Sequence, residues 1–466
     1  MRQSRRVTIV VAALVVAAGC GRATPGRPGG APAQPAFREP VELVSRNGEL
    51  KARLVVEARV VRLGGRDVRA MTYNGAYMPP TLRLRPGDRL HLTLENRLDQ
   101  YTNLHTHGWH VSPSGNSDNV YLRVKPGETF TYIYRLPKNL TPGTYWYRSH
   151  AHPYSETQVL AGLSGMIVID GLDQYLPLGL RNVTERLIAL KDFQVRGNAV
   201  PAIGDATRTV NGLVNPAIPI RPGETQLWRL ANISANTDYR VRLRGVRFHV
   251  LAQDANPVTE VWSADTLQIP PGSRFDVLVQ GPPAGATELV ALPYRTGEDV
   301  DGDGDGDAQP ERTLATLVSA GHPVPRAAIP EKFATFEDLR DATLAEQRTI
   351  TLSRDGRTNR FLINGKEFDR HRIDVQARLN TVQEWRVVNR SDQEQTLHAH
   401  VNDFQVMSVN GREYRARNWQ DTVRLPVRGE VVLRLRFSDY LGKYPLHSSV
   451  LGHKDRGMMA NVEVVP

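Results

Sequence analysis

Residues 85–94 read RPGDRLHLTL, a Pro-Gly turn that runs directly into alternating apolar and polar side chains. Pro86 presets its own backbone angle and Gly87 tolerates the conformation of a tight turn. Leu90, Leu92 and Leu94 then fall on one side of a strand, because successive side chains in a strand alternate between faces. The unit recurs at Lys125-Pro126-Gly127-Glu128, Arg221-Pro222-Gly223-Glu224 and Pro271-Gly272, with a weaker copy at Arg428-Gly429-Glu430 before Val431–Phe437. Gln226-Leu227-Trp228-Arg229 and Gln383-Glu384-Trp385-Arg386 also match each other, and each run ends in an asparagine, Asn232 and Asn389. Helical periodicity is nearly absent. Ala334–Glu346 is the one helical candidate, suited to an interdomain connection. Such spacing predicts an all-β chain of three related Greek-key β-sandwich domains, at 41–172, 173–322 and 323–466.

At 466 residues, 40% hydrophobic and 23% charged, the chain is long enough for about three globular domains. Its beginning is of another kind. Arg2, Arg5 and Arg6 precede an apolar run from Val7 to Ala18 that is too short for a spanning helix and closes on Ala17-Ala18-Gly19-Cys20. Residues 1–20 therefore read as a lipoprotein-type signal peptide for export, with Cys20 as the lipidated residue. Residues 21–40, rich in Gly, Pro and Ala, read as a tether between lipid and body. This places the protein outside the cytoplasm, in the periplasm, attached to a membrane through its lipid and open to a protein partner in the cell envelope, with no nucleic-acid partner expected. The net charge of +10 is spread along the strands without a nucleic-acid motif, so it predicts a solvated basic surface. Asp299, Asp301, Asp303, Asp305 and Asp307 have the spacing of calcium ligands, but Arg312 stands where an EF-hand needs its closing Glu. An acidic, solvated loop fits better.

The chain has thirteen histidines, and eight of them fall in four short motifs. These are His105-Thr106-His107, His150-Ala151-His152, His398-Ala399-His400, and His447 with His453. In a strand, residues two apart present their imidazoles to the same space. Several such pairs, half in the first domain and half in the last, point to a metal cluster between domains. Singly, His110, His152, His249 and His322 read as ordinary polar residues.

Four stretches carry a more specific likeness. They are NLHTHGWHVSPSGNSDNV (103–120), GTYWYRSHAH (143–152) with GLSGMIVIDG (162–171), LHAHVNDFQVMSVNG (397–411) and YPLHSSVLGHKDRGMMANVEV (444–464). In content and order they resemble the four copper motifs of the multicopper oxidases, in their three-domain, laccase-like or FtsP-like form. That resemblance implies cupredoxin-like domains. It also implies a blue copper near the C-terminus that feeds electrons to a cluster of three coppers between domains one and three.

Carried over position by position, the resemblance implies a damaged set of ligands. His453 and Met458 match the blue-copper site, but Ser448 stands at its Cys and Gln395 at its other His. The only cysteine of the chain is Cys20, so no other thiolate is available. In the cluster, His105 and His398 match the single copper, and His150, His400 and His447 match one of the paired coppers. The other paired copper keeps His107, but Arg148 and Ser449 replace its two remaining ligands. Arginine keeps its proton and cannot ligate. Asp118 matches a carboxylate beside the cluster, and Lys454 replaces an acid expected to supply protons.

These substitutions imply an extracytoplasmic copper-binding protein without the family's usual oxidase turnover, holding one or two copper ions rather than four. The alternative is a metal-dependent oxidoreductase that uses the residual histidine cluster. One further expectation follows: Arg148 fills the place of the lost copper, balanced by Asp118 and hydrogen-bonded to Ser449.

Overall fold

In the first strand-rich segment, strand Arg89–Asn96 alternates as the sequence suggests, with Leu90, Leu92 and Leu94 fully buried and Arg89 exposed. It pairs in parallel with Glu49–Leu63 and antiparallel with Thr129–Arg135, and Arg66–Tyr73 completes a four-stranded sheet. A five-stranded sheet faces it, built from Glu42–Val44, Thr81–Leu84, Ser164–Ile169, Gly143–Arg148 and His105–His107. The three leucines pack between the two sheets with Trp109, Tyr132 and Tyr134. Fully burying each leucine contributes about 1.5–3 kcal/mol.

This is a computed structural model, and it describes residues 34–195, 206–297 and 308–466. Cys20, the signal segment, most of the tether and the Asp/Gly run 299–307 lie outside the described residues. Pro35–Pro466 forms one compact unit. Its regular secondary structure is almost entirely strand, with short α-helices at Ser155–Leu160 and Leu451–Asp455. No helix among the described residues is long and apolar enough to cross a membrane.

The second and third sandwiches explain the repeated tryptophan motif. Thr184–Phe193, Thr225–Asn232 and Arg274–Gln280 lie side by side in one six-stranded sheet, and Leu344–Asp355, Thr381–Asn389 and Glu430–Phe437 hold the same order in another. In both, the first pair is parallel and the second antiparallel. Trp228 donates its indole N–H to Gln226 at 3.1 Å, and Trp385 does the same to Gln383 at 2.9 Å. Asn232 and Asn389 then use their amides to satisfy loop carbonyls, Thr237 and Ile269 in one sandwich, Gln393 and Pro426 in the other. Buried polar groups need such partners, so the same strand end keeps the same residue. The folds of all three sandwiches are cupredoxin-like.

Ala334–Glu346 is not a helix: residues 334–343 run irregularly until strand Leu344–Asp355 begins. The connection lies along strand Asn256–Ala264 instead, where Phe333 and Ala334 donate backbone N–H groups to Thr259 and Val258 at 3.0 and 2.9 Å. Leu339 is buried and gives its N–H to the Gln405 side chain at 2.6 Å. Tertiary partners thus take up backbone donors that a helix would have used internally.

Candidate metal centre

Each HxH pair lies where two sandwiches meet. His105 is directly opposite Arg148 across one strand pair, and His398 directly opposite His447 across another. His150 follows the end of Gly143–Arg148, and His400 follows Gln395–Ala399. His105, His107, His150, His398, His400 and His447 are each at most 2% exposed. All six come together. Ligand atoms of His150, His400 and His447 lie within 4.8 Å of one another, and so do those of His105, His398 and His400. The nearest pair, His400 Nε2 and His447 Nε2, is 3.0 Å apart.

The outer nitrogens of three rings are tied down. Asp118 accepts from His105 Nδ1 at 2.9 Å, the Asp421 carbonyl from His398 Nδ1 at 2.8 Å, and the Ser448 carbonyl from His447 Nδ1 at 2.7 Å. A proton fixed on Nδ1 leaves a lone pair on Nε2. The buried Nε2 atoms of His105, His150 and His398 have no hydrogen-bond partner among the described residues. Burial, reinforced by neighbouring cations and histidines, holds His105, His107, His150, His400 and His447 well below the usual histidine range. Neutral imidazoles with inward, unshared lone pairs are the donor set a copper ion requires.

His107 is held differently. Its ring stacks on His398 at 3.7 Å, and its Nε2 lies 3.2 Å from Asp421 Oδ1. Asp421 also receives Arg274 at 2.7 Å, from the second sandwich. Burial alone would raise the Asp421 carboxyl, but Arg274 and His107 hold it well below the carboxylate range. His107, His398 and Asp421 also have ligand atoms within 4.8 Å of one another. The Arg274 guanidinium engages that carboxylate, so Asp421 serves as a charge partner joining the three sandwiches. Sequence reasoning missed both residues. Arg274 follows a noted Pro-Gly turn, but nothing in the chain pairs it with a carboxylate 147 residues away.

Arg148 is buried, 1% exposed, and reaches the cluster, with Nη2 3.4 Å from His447 Nε2. Its expected partners are not its partners. Asp118 accepts from His105 Nδ1 and from the Thr106 N–H at 2.8 Å, while the Ser449 hydroxyl has no hydrogen-bond partner among the described residues. Arg148 instead donates to the Ser149 carbonyl at 2.9 Å and lies over the Trp146 ring, its centre 5.5 Å from the centroid. Burial lowers its pKa to about 10, opposed first by Asp455 and then by Asp118. Asp118 itself is pushed up to about 7 by burial, against the Thr106 hydrogen bonds and Arg148.

Asp455 is the carboxylate that sequence reasoning overlooked. It accepts from Lys454 Nζ at 2.8 Å and from the Glu156 N–H at 2.7 Å. Lys454 is fully buried and also donates to Ser155 at 2.7 Å; burial lowers its pKa to about 8. Two cationic side chains therefore border the histidines, and their charge acts against a bound cation in a low-dielectric setting.

Gln395, Ser448, His453 and Met458 form a separate buried group. His453 Nδ1 is 2.9 Å from Gln395 Oε1, and Gln395 donates to Ser391 Oγ at 3.1 Å. The His453 ring stacks on Phe361 at 4.0 Å, and the Ser448 hydroxyl accepts the Val450 N–H at 3.2 Å. His110 bonds the Val401 carbonyl at 2.7 Å and Asp439 at 3.0 Å, His152 lies 3.5 Å from Asp455, and His249 bonds Ser263 at 2.8 Å.

Three cupredoxin-like sandwiches with histidines converging between the first and third define a copper-protein architecture. The chain belongs to the multicopper oxidase family, whose sequence patterns match residues 55–174, 188–288 and 340–466. It is similar to the cell division protein FtsP of Edwardsiella tarda, 29% identical over the whole of both chains. It is also similar to the multicopper oxidase Mco of Staphylococcus haemolyticus, 27% identical over 84% of this chain and 83% of the relative. Among solved structures, a metallo-oxidase of this family from Campylobacter jejuni is 25% identical, with a TM-score of 0.81 over 92% of this chain and 95% of that one. McoA from Aquifex aeolicus, at 22% identity and a TM-score of 0.80 over 93% and 100%, shares the fold.

Proposed function

We propose that this protein is an extracytoplasmic, lipid-anchored copper-binding member of its family that does not perform the family's usual oxidase turnover. The observation that carries this reading is the Gln395–His453 hydrogen bond beside Ser448, in the place expected for a blue copper. A thiolate is the soft, covalent ligand such a site depends on, and a serine hydroxyl is not a substitute. His150, His400 and His447 would hold one copper, and His105 with His398 a second, for one or two ions in all. Copper there would supply a redox-active or Lewis-acidic centre. Asp118 and the Asp421 carbonyl orient the rings from behind, while Arg148 and Lys454 limit how much positive charge the pocket takes. The full-length likeness to a cell division protein favours a binding or scaffolding role in the cell envelope, with Cys20 carrying the lipid.

A copper-reconstituted and dialysed preparation tests this directly. One or two coppers per chain are expected, without the intense visible band of a thiolate–copper bond and without copper-dependent oxygen uptake on phenols or Cu(I). Ser448→Cys alone restores neither, because Gln395, Ser449 and Arg148 remain. Four coppers with steady oxygen consumption would overturn the reading.

The second reading is an enzyme whose metal-bound His150, His400 and His447 leave a position for water or peroxide. The unpaired His150 Nε2 favours it. Copper-dependent peroxide turnover that disappears in His150→Ala would select this alternative.

A further inference from the structure

A cleft of about 280 Å³ opens between the first and third sandwiches, with the buried His150 among its lining residues. Its size is near the lower limit for small-molecule pockets, which restricts an occupant to about one ring. Tyr101, Tyr121 and Phe368 supply aromatic walls, and Arg123 and Arg370 supply charge. The walls are fixed before any ligand arrives. Tyr101 donates its hydroxyl to the His152 carbonyl at 2.5 Å, and Tyr121 donates to Asn461 at 2.6 Å. Phe368 meets the His152 ring edge-on at 5.1 Å. Preorganised walls reduce the ordering cost of binding.

The two guanidinium groups are available. Arg370 is half-buried and gives one N–H to the Tyr121 carbonyl at 3.2 Å; Arg123 lies over the Tyr101 ring, 4.8 Å from its centroid. Neither has a carboxylate at ion-pair distance among the described residues. Asp369, also at the cleft, accepts the His371 N–H at 2.9 Å and so is turned to its own loop. At the inner end, the lining residue His150 is buried, with its ring against His400 and His447. Two guanidiniums without a carboxylate partner and a set of aromatic faces are complementary to one kind of molecule.

We infer that this cleft binds a small, single-ring aromatic carboxylate. The carboxylate pairs with Arg123 and Arg370, the ring packs among Tyr101, Tyr121 and Phe368, and the far edge of the ring faces His150. Guanidinium–carboxylate pairing is strong because it combines charge with directed hydrogen bonds. The inference deepens the copper reading by giving the cluster a ligand at its open side, but binding of the acid itself needs no metal.

Calorimetric titration with 4-hydroxybenzoate is the test, run on both chelator-treated and copper-loaded protein, with 4-hydroxybenzyl alcohol as the neutral control. One site per chain is expected in both forms, with the acid bound more tightly than the alcohol. The double variant Arg123→Gln/Arg370→Gln should weaken the acid at least about tenfold and leave the alcohol unchanged. Phe368→Ala should weaken both. Arg123 is exposed, so Arg123→Gln alone provides a folded variant with a smaller effect in the same direction. No binding to either form overturns the inference. Equal binding of acid and alcohol, or indifference of the acid to both arginine variants, does so as well. Acid binding without retained copper leaves this inference standing and removes the copper reading; retained copper without acid binding does the reverse.

Discussion

The two groups of buried polar side chains in the third sandwich differ in one respect that separates their chemistry. Around His398, His400 and His447, ring nitrogens point inward at one another, and those of His105, His150 and His398 end on no partner. Around His453, the polar atoms are joined into a chain, His453 to Gln395 to Ser391. An unpaired buried donor or acceptor costs about 1–3 kcal/mol, so several together persist where something is bound or is meant to bind. A hydrogen-bonded chain has no such debt and reads as ordinary core. One region offers lone pairs suited to a metal, and the other is internally hydrogen-bonded packing.

The largest effect that could break this comparison is on copper content. His400 contributes to both three-histidine groups, so His400→Ala should reduce retained copper to less than about one-tenth of wild type after dialysis. His453→Ala should leave it unchanged. Elemental analysis showing equal losses in the two variants would remove the distinction.

Next in size is the support beneath the cluster. Asp421→Ala leaves the buried Arg274 with only Asp254, at 3.6 Å, as a charge partner among the described residues and should destabilise the protein by about 3–5 kcal/mol in urea unfolding. A loss under about 1 kcal/mol would show that Arg274 has other adequate partners.

The hydrogen-bonded region around His453 predicts a smaller, compensable loss. Gln395→Leu removes the Gln395–His453 hydrogen bond and should cost about 1–3 kcal/mol; adding His453→Phe should recover most of it, with copper content unaffected. Failure of the second substitution to compensate would mean that more than this hydrogen bond holds the region.

A last effect lies outside both regions and gives their baseline. Burial raises the Glu185 carboxyl, but Arg229 and Arg83 outweigh it and hold it down to about 2. A carboxylate lowered on folding stabilises fully above its unfolded value, and that stability is lost as pH falls through the folded value. Wild type should therefore lose about 1–2 kcal/mol more than Glu185→Gln between about pH 4.5 and pH 2, as followed by urea unfolding. Parallel pH profiles for the two proteins would contradict this.

Much of the fold was legible because it is written locally. The alternation of Leu90, Leu92 and Leu94 is visible within one strand, and Trp228 and Trp385 advertise a shared corner through neighbours two residues away. The Ala334–Glu346 segment misled because its local pattern permits a helix, while its actual hydrogen bonds go to strand Asn256–Ala264. The histidines of the cluster were legible as pairs two residues apart, although only His105 and His107 lie together within a strand and His150 and His400 follow strand ends. The acids were not. Asp118 was visible as a member of a motif, but its commitment to His105 rather than Arg148 is a matter of which oxygen points where.

The sequence by itself determined the strand pattern, the repeated architecture and the identity of the six histidines. Those properties depend on residue type and short spacing. Tertiary structure alone decided the charge arrangement around the histidines: Asp455 bound to Lys454, Arg274 clamped to Asp421, and Arg148 buried with only carbonyl, ring and imidazole contacts. Electrostatic interaction depends on distance and burial across strands far apart in the chain, and neither quantity is encoded in any one stretch of it.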